Sequence, residues 1–149
     1  MKNLIKRIVS FRIIKDLSMK NNYLYRWSLW LPFGVSIKIH RIVRNDRDRC
    51  EHDHPWWFVR FILYGGYTES IHGKKYVRRP WRPWAFWRIY PCAPSFRHRI
   101  TKLTKKENWS LVICGPNRGY WGFYTKKGWV RWQKFLKHKF RVLWCEDGK

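Results

Sequence analysis

His52-Asp53-His54-Pro55-Trp56-Trp57-Phe58-Val59-Arg60-Phe61-Ile62-Leu63-Tyr64-Gly65-Gly66-Tyr67 is the stretch on which the fold turns. It is rich in aromatic and β-branched residues and stops at a glycine pair, as a strand and its closing turn do. The pattern predicts a strand over residues 52–64, with Tyr67-Thr68-Glu69-Ser70-Ile71 continuing the sheet. Side chains on a strand alternate between faces, so residues two apart share one face. His52 and His54 therefore aim two imidazoles into one space, and Arg60 shares their parity. Imidazole is the commonest metal ligand near neutral pH. Asp53 has the opposite parity and is expected outside the ligand set, where it could orient a neighbour.

Working outward, residues 1–20 read as an amphipathic basic helix. Leu4, Ile5, Ile8, Val9, Ile13 and Leu17 recur near helical spacing, with Lys2, Lys6, Arg7, Arg12 and Lys15 on the polar side. Residues 24–125 read as short strands at regular spacing. Pro32-Phe33-Gly34 turns the chain, and residues 35–42 alternate with Ile37 and Ile39 on the predicted buried side, which puts His40 on the polar one. The slip from Arg41 to Ile42 suggests a bulge or a strand end. His72-Gly73-Lys74-Lys75 reads as a hairpin turn. Pro80 and Pro83 exclude a central strand around Trp81. Trp129, Trp132, Leu136 and Phe140 fall at helical spacing and predict a terminal helix over 129–141.

A chain of 149 residues supports one domain, 1–149, with one modest core. Its net charge of +24 asks for something anionic nearby: nucleic acid, a membrane surface or an acidic protein. Arg78, Arg79, Arg82 and Arg88 interleave with Trp81, Trp84 and Trp87, a pairing suited to phosphates and unstacked bases. Arg131, Lys134, Lys137, Lys139 and Arg141 extend the basic surface at the C-terminus. Cys50, Cys92, Cys114 and Cys145 show no C-x-x-C spacing and are expected to be reduced thiols of a cytoplasmic protein. No segment has the length of a transmembrane helix. No serine–histidine–aspartate order, P-loop or dinucleotide fingerprint is visible, and nine acidic residues make paired catalytic carboxylates improbable.

The segments His52-Asp53-His54-Pro55-Trp56, Gly65-Gly66-Tyr67-Thr68-Glu69, His98-Arg99-Ile100, Gly115-Pro116, Trp121-Gly122-Phe123 and Gly128-Trp129 occur in that order. Together they resemble small cupin-like proteins of phages and bacteria, over residues 24–136. The resemblance implies a double-stranded β-helix barrel with a metal inside, held by an H-x-H pair, a carboxylate and a later histidine. On this chain those positions are His52, His54 and His98. The pattern departs from the usual one at Trp57-Phe58-Val59, where cupins place the glutamate, so Glu69 becomes the candidate carboxylate.

The expectation is therefore a mainly β, cupin-like barrel with an N-terminal and a C-terminal helix. It binds a divalent metal through His52, His54, His98 and Glu69. Iron(II) or manganese is favoured over zinc or nickel because a histidine–carboxylate set with an open position suits them. A barrel that has lost its metal is the alternative. Arg60 is the candidate for gripping an anionic substrate group. The implied chemistry is that of an oxygenase or isomerase acting on a small anionic ligand. The rivals are a basic nucleic-acid-binding protein, using Arg78, Arg79, Trp81, Arg82, Trp84 and Arg88, and a phage-encoded interaction protein that inhibits a host factor. An oligomer is compatible with each reading.

Overall fold

The computed structural model describes residues 8–16, 20–46, 50–85, 88–137 and Cys145. Eleven strands and one short helix are described. In order they are β1 (Val9–Lys15), β2 (Asn22–Trp30), β3 (Ser36–Ile42), β4 (Phe58–Tyr64), β5 (Tyr67–Ile71), β6 (Lys74–Arg78), β7 (Ile89–Cys92), β8 (Arg99–Leu103), β9 (Asn108–Cys114), β10 (Gly122–Thr125), β11 (Gly128–Arg131) and α1 (Trp132–Lys137). A six-stranded sheet runs β1-β2-β3-β9-β4-β7, a three-stranded sheet runs β6-β5-β8, and β10 pairs with β11. All the pairings are antiparallel. The mainly β expectation holds. A barrel closed by hydrogen bonds is not what forms, because among the described residues the strands stay in three separate sheets.

The predicted N-terminal helix is corrected over residues 9–15, which form β1, paired with β2 from Val9↔Leu29 onward; residues 1–7 and 17–19 of that prediction fall outside the described ones. Val9, Phe11 and Ile13 alternate with Ser10, Arg12 and Ile14, so the segment also carries a strand pattern. Its β-branched residues favour the pleated partner over the helix. The terminal helix starts later than the sequence implies. Trp129 lies on β11, and α1 begins at Trp132; residues 138–141, with Lys139 and Arg141, fall outside the described ones.

The strand predicted over residues 52–64 begins only at Phe58. Pro55 supplies no backbone donor, and the chain bends at Pro55-Trp56. His52 instead forms an isolated antiparallel bridge to His98. The hairpin at His72-Gly73 is observed, with positive φ at both residues (49° and 75°), as a two-residue turn of the twisted kind requires. Gly65 turns β4 into β5 at φ 82°, and a Cβ there would come 2.3 Å from the Glu107 carbonyl oxygen.

β3 reverses its predicted faces. Ser36, Lys38 and Ile42 are buried, and His40 shares their side, while Ile37 and Ile39 lie on the outer side. That outer face is itself apolar: Trp27 stacks on Trp109 at 5.8 Å, and Phe11 packs on Trp27 at 5.1 Å. An apolar outer surface removes the contrast on which parity reading depends. The interior of the six-stranded sheet is correspondingly polar, with Ser28, Lys38, Arg60, Asn108 and Ser110 buried there.

The reading of four free thiols is corrected for one pair. Cys50 and Cys145 form a disulfide, their Cα atoms 4.9 Å apart across 95 residues of chain, within a cluster that includes Phe123 and Phe135. Cys92 and Cys114 are free and buried. Among the described residues no helix is long and apolar enough to cross a membrane.

Candidate metal centre

Backbone pairing places the histidines. The His52 N–H donates to the His98 carbonyl, and the His98 N–H donates to the His52 carbonyl, each at 3.0 Å. Residues paired directly in this way project side chains to the same face. His54, two residues beyond His52, is tied by its own N–H to the Pro94 carbonyl at 3.3 Å. The three imidazoles therefore converge. One ring nitrogen from each of His52, His54 and His98 lies within 4.8 Å of the others. The ring centres are 5.1, 5.2 and 5.3 Å apart.

The flanking acids hold this segment in place. Glu51 is buried and accepts from the Ser70 hydroxyl at 2.6 Å and from the N–H groups of His72 and Gly73 at 3.1 and 3.0 Å. Arg97 pairs with it at 2.9 Å. This pins the β5–β6 hairpin to the residue before His52. Asp53 points away from the histidines, as its parity predicts. It accepts from the Gly122 N–H at 2.7 Å and the Trp129 indole N–H at 2.9 Å, which anchors the β10–β11 hairpin.

Glu69 lies behind His98. Its Oε2 is 2.8 Å from His98 Nδ1, while Oε1 accepts from both Arg60 and Arg78. Both carboxylate oxygens are thus engaged, and Glu69 is 0% exposed. Burial alone would raise its pKa, but the His98 hydrogen bond and the Arg60 charge overcome this and hold the carboxyl far below its usual range. A carboxylate at Nδ1 keeps the proton there and leaves Nε2 of His98 as the lone-pair nitrogen. That nitrogen is 3.0 Å from His54 Nε2. Burial, then the charges of His52, His98, Arg26 and Arg60, push His54 well below the ordinary histidine value, so its ring is neutral at pH 7. Neutral imidazoles are the form that binds metal.

Arg60 does point inward, at 3% exposure, between the aromatic rings of Tyr67, Tyr90 and Phe96 at 5.5–5.6 Å. Its guanidinium is committed to Glu69 and approaches His98 Nδ1 at 3.4 Å. The histidines open onto a cavity of about 620 Å³ that also touches Arg26, Lys38, His40, Trp56 and Trp121. This size suits a small-molecule ligand.

The basic-aromatic segment divides. Arg78 is turned inward to Glu69 and lies 4.7 Å from the Tyr90 ring. Arg88 donates to the Pro80 carbonyl at 3.0 Å, and Trp81 packs edge-on against Phe61 at 6.5 Å. Arg79 and Arg82 are exposed, and Trp84 is 74% exposed. Trp87 lies outside the described residues.

Solved structures share this architecture. A cupin 2 conserved barrel domain protein from Rhodopseudomonas palustris superposes with a TM-score of 0.60 at 9% identity, over 88% of this chain and 86% of its own. A cupin-2 domain from Rhodospirillum rubrum gives 0.57 at 12% identity, over 80% and 78%. The fold is cupin-like. The iron(II) form of HppE is also similar, with a TM-score of 0.54 at 10% identity, over 70% of this chain and 56% of HppE. At such identities the likeness is one of fold, and the cupin-like reading of the sequence stands at that level. No family model matches the sequence, and no curated relative does.

Arg26, Lys38 and His40 are the cavity residues that sequence reasoning missed. The available signal was an alternation in β2 and β3 that ran polar-in rather than apolar-in. Only the pairing of β3 between two other strands reveals it.

Proposed function

We propose that the chain is a divalent-metal protein whose barrel binds metal through His52, His54 and His98, with Glu69 fixing the tautomer of His98. The observation that carries this reading is the convergence of three ring nitrogens within 4.8 Å, one of them backed by a buried carboxylate. Such carboxylate–histidine–metal arrangements orient the ligand and raise its basicity. With Glu69 engaged behind His98, the donors are imidazoles alone. Imidazoles suit iron(II), zinc and nickel alike, whereas manganese loses the oxygen ligand that would favour it; iron(II) is taken as the probe because oxygenation needs a redox-active metal. A metal on three protein ligands keeps a position for water or substrate and supplies Lewis-acid or redox chemistry there. The chain's own residues supply the rest. Arg60 neutralises Glu69, the aromatic wall of Phe58, Trp121 and Phe123 excludes water, and the cavity admits a small anionic substrate. The reaction class we propose is oxygenation or isomerisation.

The test is metal content of protein purified without added metal, together with iron(II) titration of the chelator-stripped chain. One equivalent per chain is expected. His52→Ala and His98→Ala should each lose it while retaining the thermal transition. Full retention of binding in both variants overturns the proposal.

A second reading has its own observation. Arg79, Arg82 and Trp84 form an exposed basic-aromatic tip on a chain of net charge +24. Such a surface suits phosphate and base stacking, and nucleic-acid binding would use it independently of the cavity.

A further inference from the structure

We propose that Arg26 and Lys38 form an anion-binding subsite in the cavity wall, which selects ligands that carry a carboxylate or phosphate on a small apolar body. The subsite deepens the metal-centre reading, since it shares that cavity, but it is built from different residues.

Strand register brings the groups together. Arg26 on β2 lies directly opposite His40 on β3, and Lys38 sits two residues along β3 on the same face. Arg26 Nε donates to His40 Nε2 at 3.0 Å. That bond fixes the guanidinium with its remaining donors uncommitted to any carboxylate among the described residues. Lys38 is 2% exposed, and its ammonium bonds the Ser36 hydroxyl. It lies 4.4 Å from the centre of the Trp56 ring and 4.9 Å from that of Trp30. No carboxylate among the described residues pairs with it. Buried cations are ordinarily matched by an anion, because leaving water without one is costly.

Arg60, by contrast, is paired with Glu69. The acids that also border the cavity are occupied: Asp16 with Asn21 and Arg44, and Asp46 with the Ile100 N–H at 3.2 Å. The positive charge of Arg26 and Lys38 is therefore left for a ligand. Arg26, Lys38, His52, His54 and His98 line the same cavity, so the subsite and the histidines face one space. Val112 and Trp56 supply apolar lining for the body of such a ligand. An anion seated there would also offset repulsion between these cations and a metal dication, so each should strengthen binding of the other.

The test is calorimetric titration of the chelator-stripped chain with benzoate, phenyl phosphate and benzyl alcohol in 0.5 M salt. Salt at this level screens the exposed basic surface far more than an enclosed site. At least one anion is expected to bind ten-fold or more tightly than the alcohol. Whether benzoate or phenyl phosphate is tighter distinguishes a carboxylate from a phosphate ligand. Arg26→Gln and Lys38→Gln should each remove most of the anion's advantage and change alcohol affinity less than two-fold. The surface variant Lys74→Gln/Lys75→Gln should behave as the parent chain. Equal binding of anion and alcohol by the parent chain overturns the proposal without recourse to any variant. So does absence of anion binding, or an equal loss in the surface variant. Because the titration is run without metal, failure of the metal reading leaves it intact. Its own failure leaves the metal analysis intact.

Discussion

Glu69→Gln is the perturbation that reaches furthest. The parent carboxylate is fully buried and answers two arginines and one histidine. Glutamine keeps the volume but removes the charge, leaving Arg60 buried at 4% side-chain exposure with no counter-ion. Breaking a buried pair from one side costs about 3–5 kcal/mol. The same change loosens His98, whose Nδ1–H loses its anionic acceptor. Loss of such a backing partner lowers metal affinity by about 10–100-fold. Urea unfolding of the metal-free chain reads the first effect, and iron(II) titration reads the second. Adding Arg60→Met should restore much of the stability, since it removes the fully buried charge, and Arg78, with its side chain 20% exposed, remains within reach of water. It should not restore the metal affinity. A loss below about 1 kcal/mol for Glu69→Gln, or recovery of both properties together in the double variant, would refute the reasoning.

Other expectations follow from the same geometry. Burial first, then Arg26 and Lys38, hold His40 well below 6.5 in the folded chain. The unfolded chain takes up that proton first as pH falls, so stability should drop below about pH 6.5 by up to about 1.4 kcal/mol per unit from this group. Urea curves of His40→Gln at pH 7, 6 and 5 should show a shallower dependence, and parallel slopes would count against the assignment. Cys145→Ser opens a loop of 95 residues and should cost about 2–4 kcal/mol in denaturant unfolding. If heparin retention reflects the exposed tip, Arg79→Gln/Arg82→Gln should lower the salt slope by about two, while iron(II) binding stays unchanged. An unaltered slope would remove the tip from the interface.

The parts of the site that obey backbone alternation were legible in the sequence. His52, His54 and Arg60 share parity and do share a space, although the strand between them is interrupted at Pro55. His98 was legible as a histidine in a second β-like region after Pro91 and Pro94, but its pairing with His52 is a contact across 46 residues of chain that no local pattern encodes. Glu69 reads in the sequence as a fourth metal ligand; its place behind His98 depends on where Arg60 and Arg78 arrive. The N-terminal segment misled because Ile8, Val9 and Ile13 satisfy a helical period and a strand period alike. β2 supplied the partner that decided between them. β3 misled because apolar residues cover the outer face of the sheet. The disulfide carries no spacing signal, because its cysteines stand 95 residues apart in the chain.

X-ray absorption at the iron edge of the loaded chain tests the central claim most directly. Three imidazole nitrogens in the metal's coordination sphere are expected. A spectrum with two imidazoles or fewer would contradict the account.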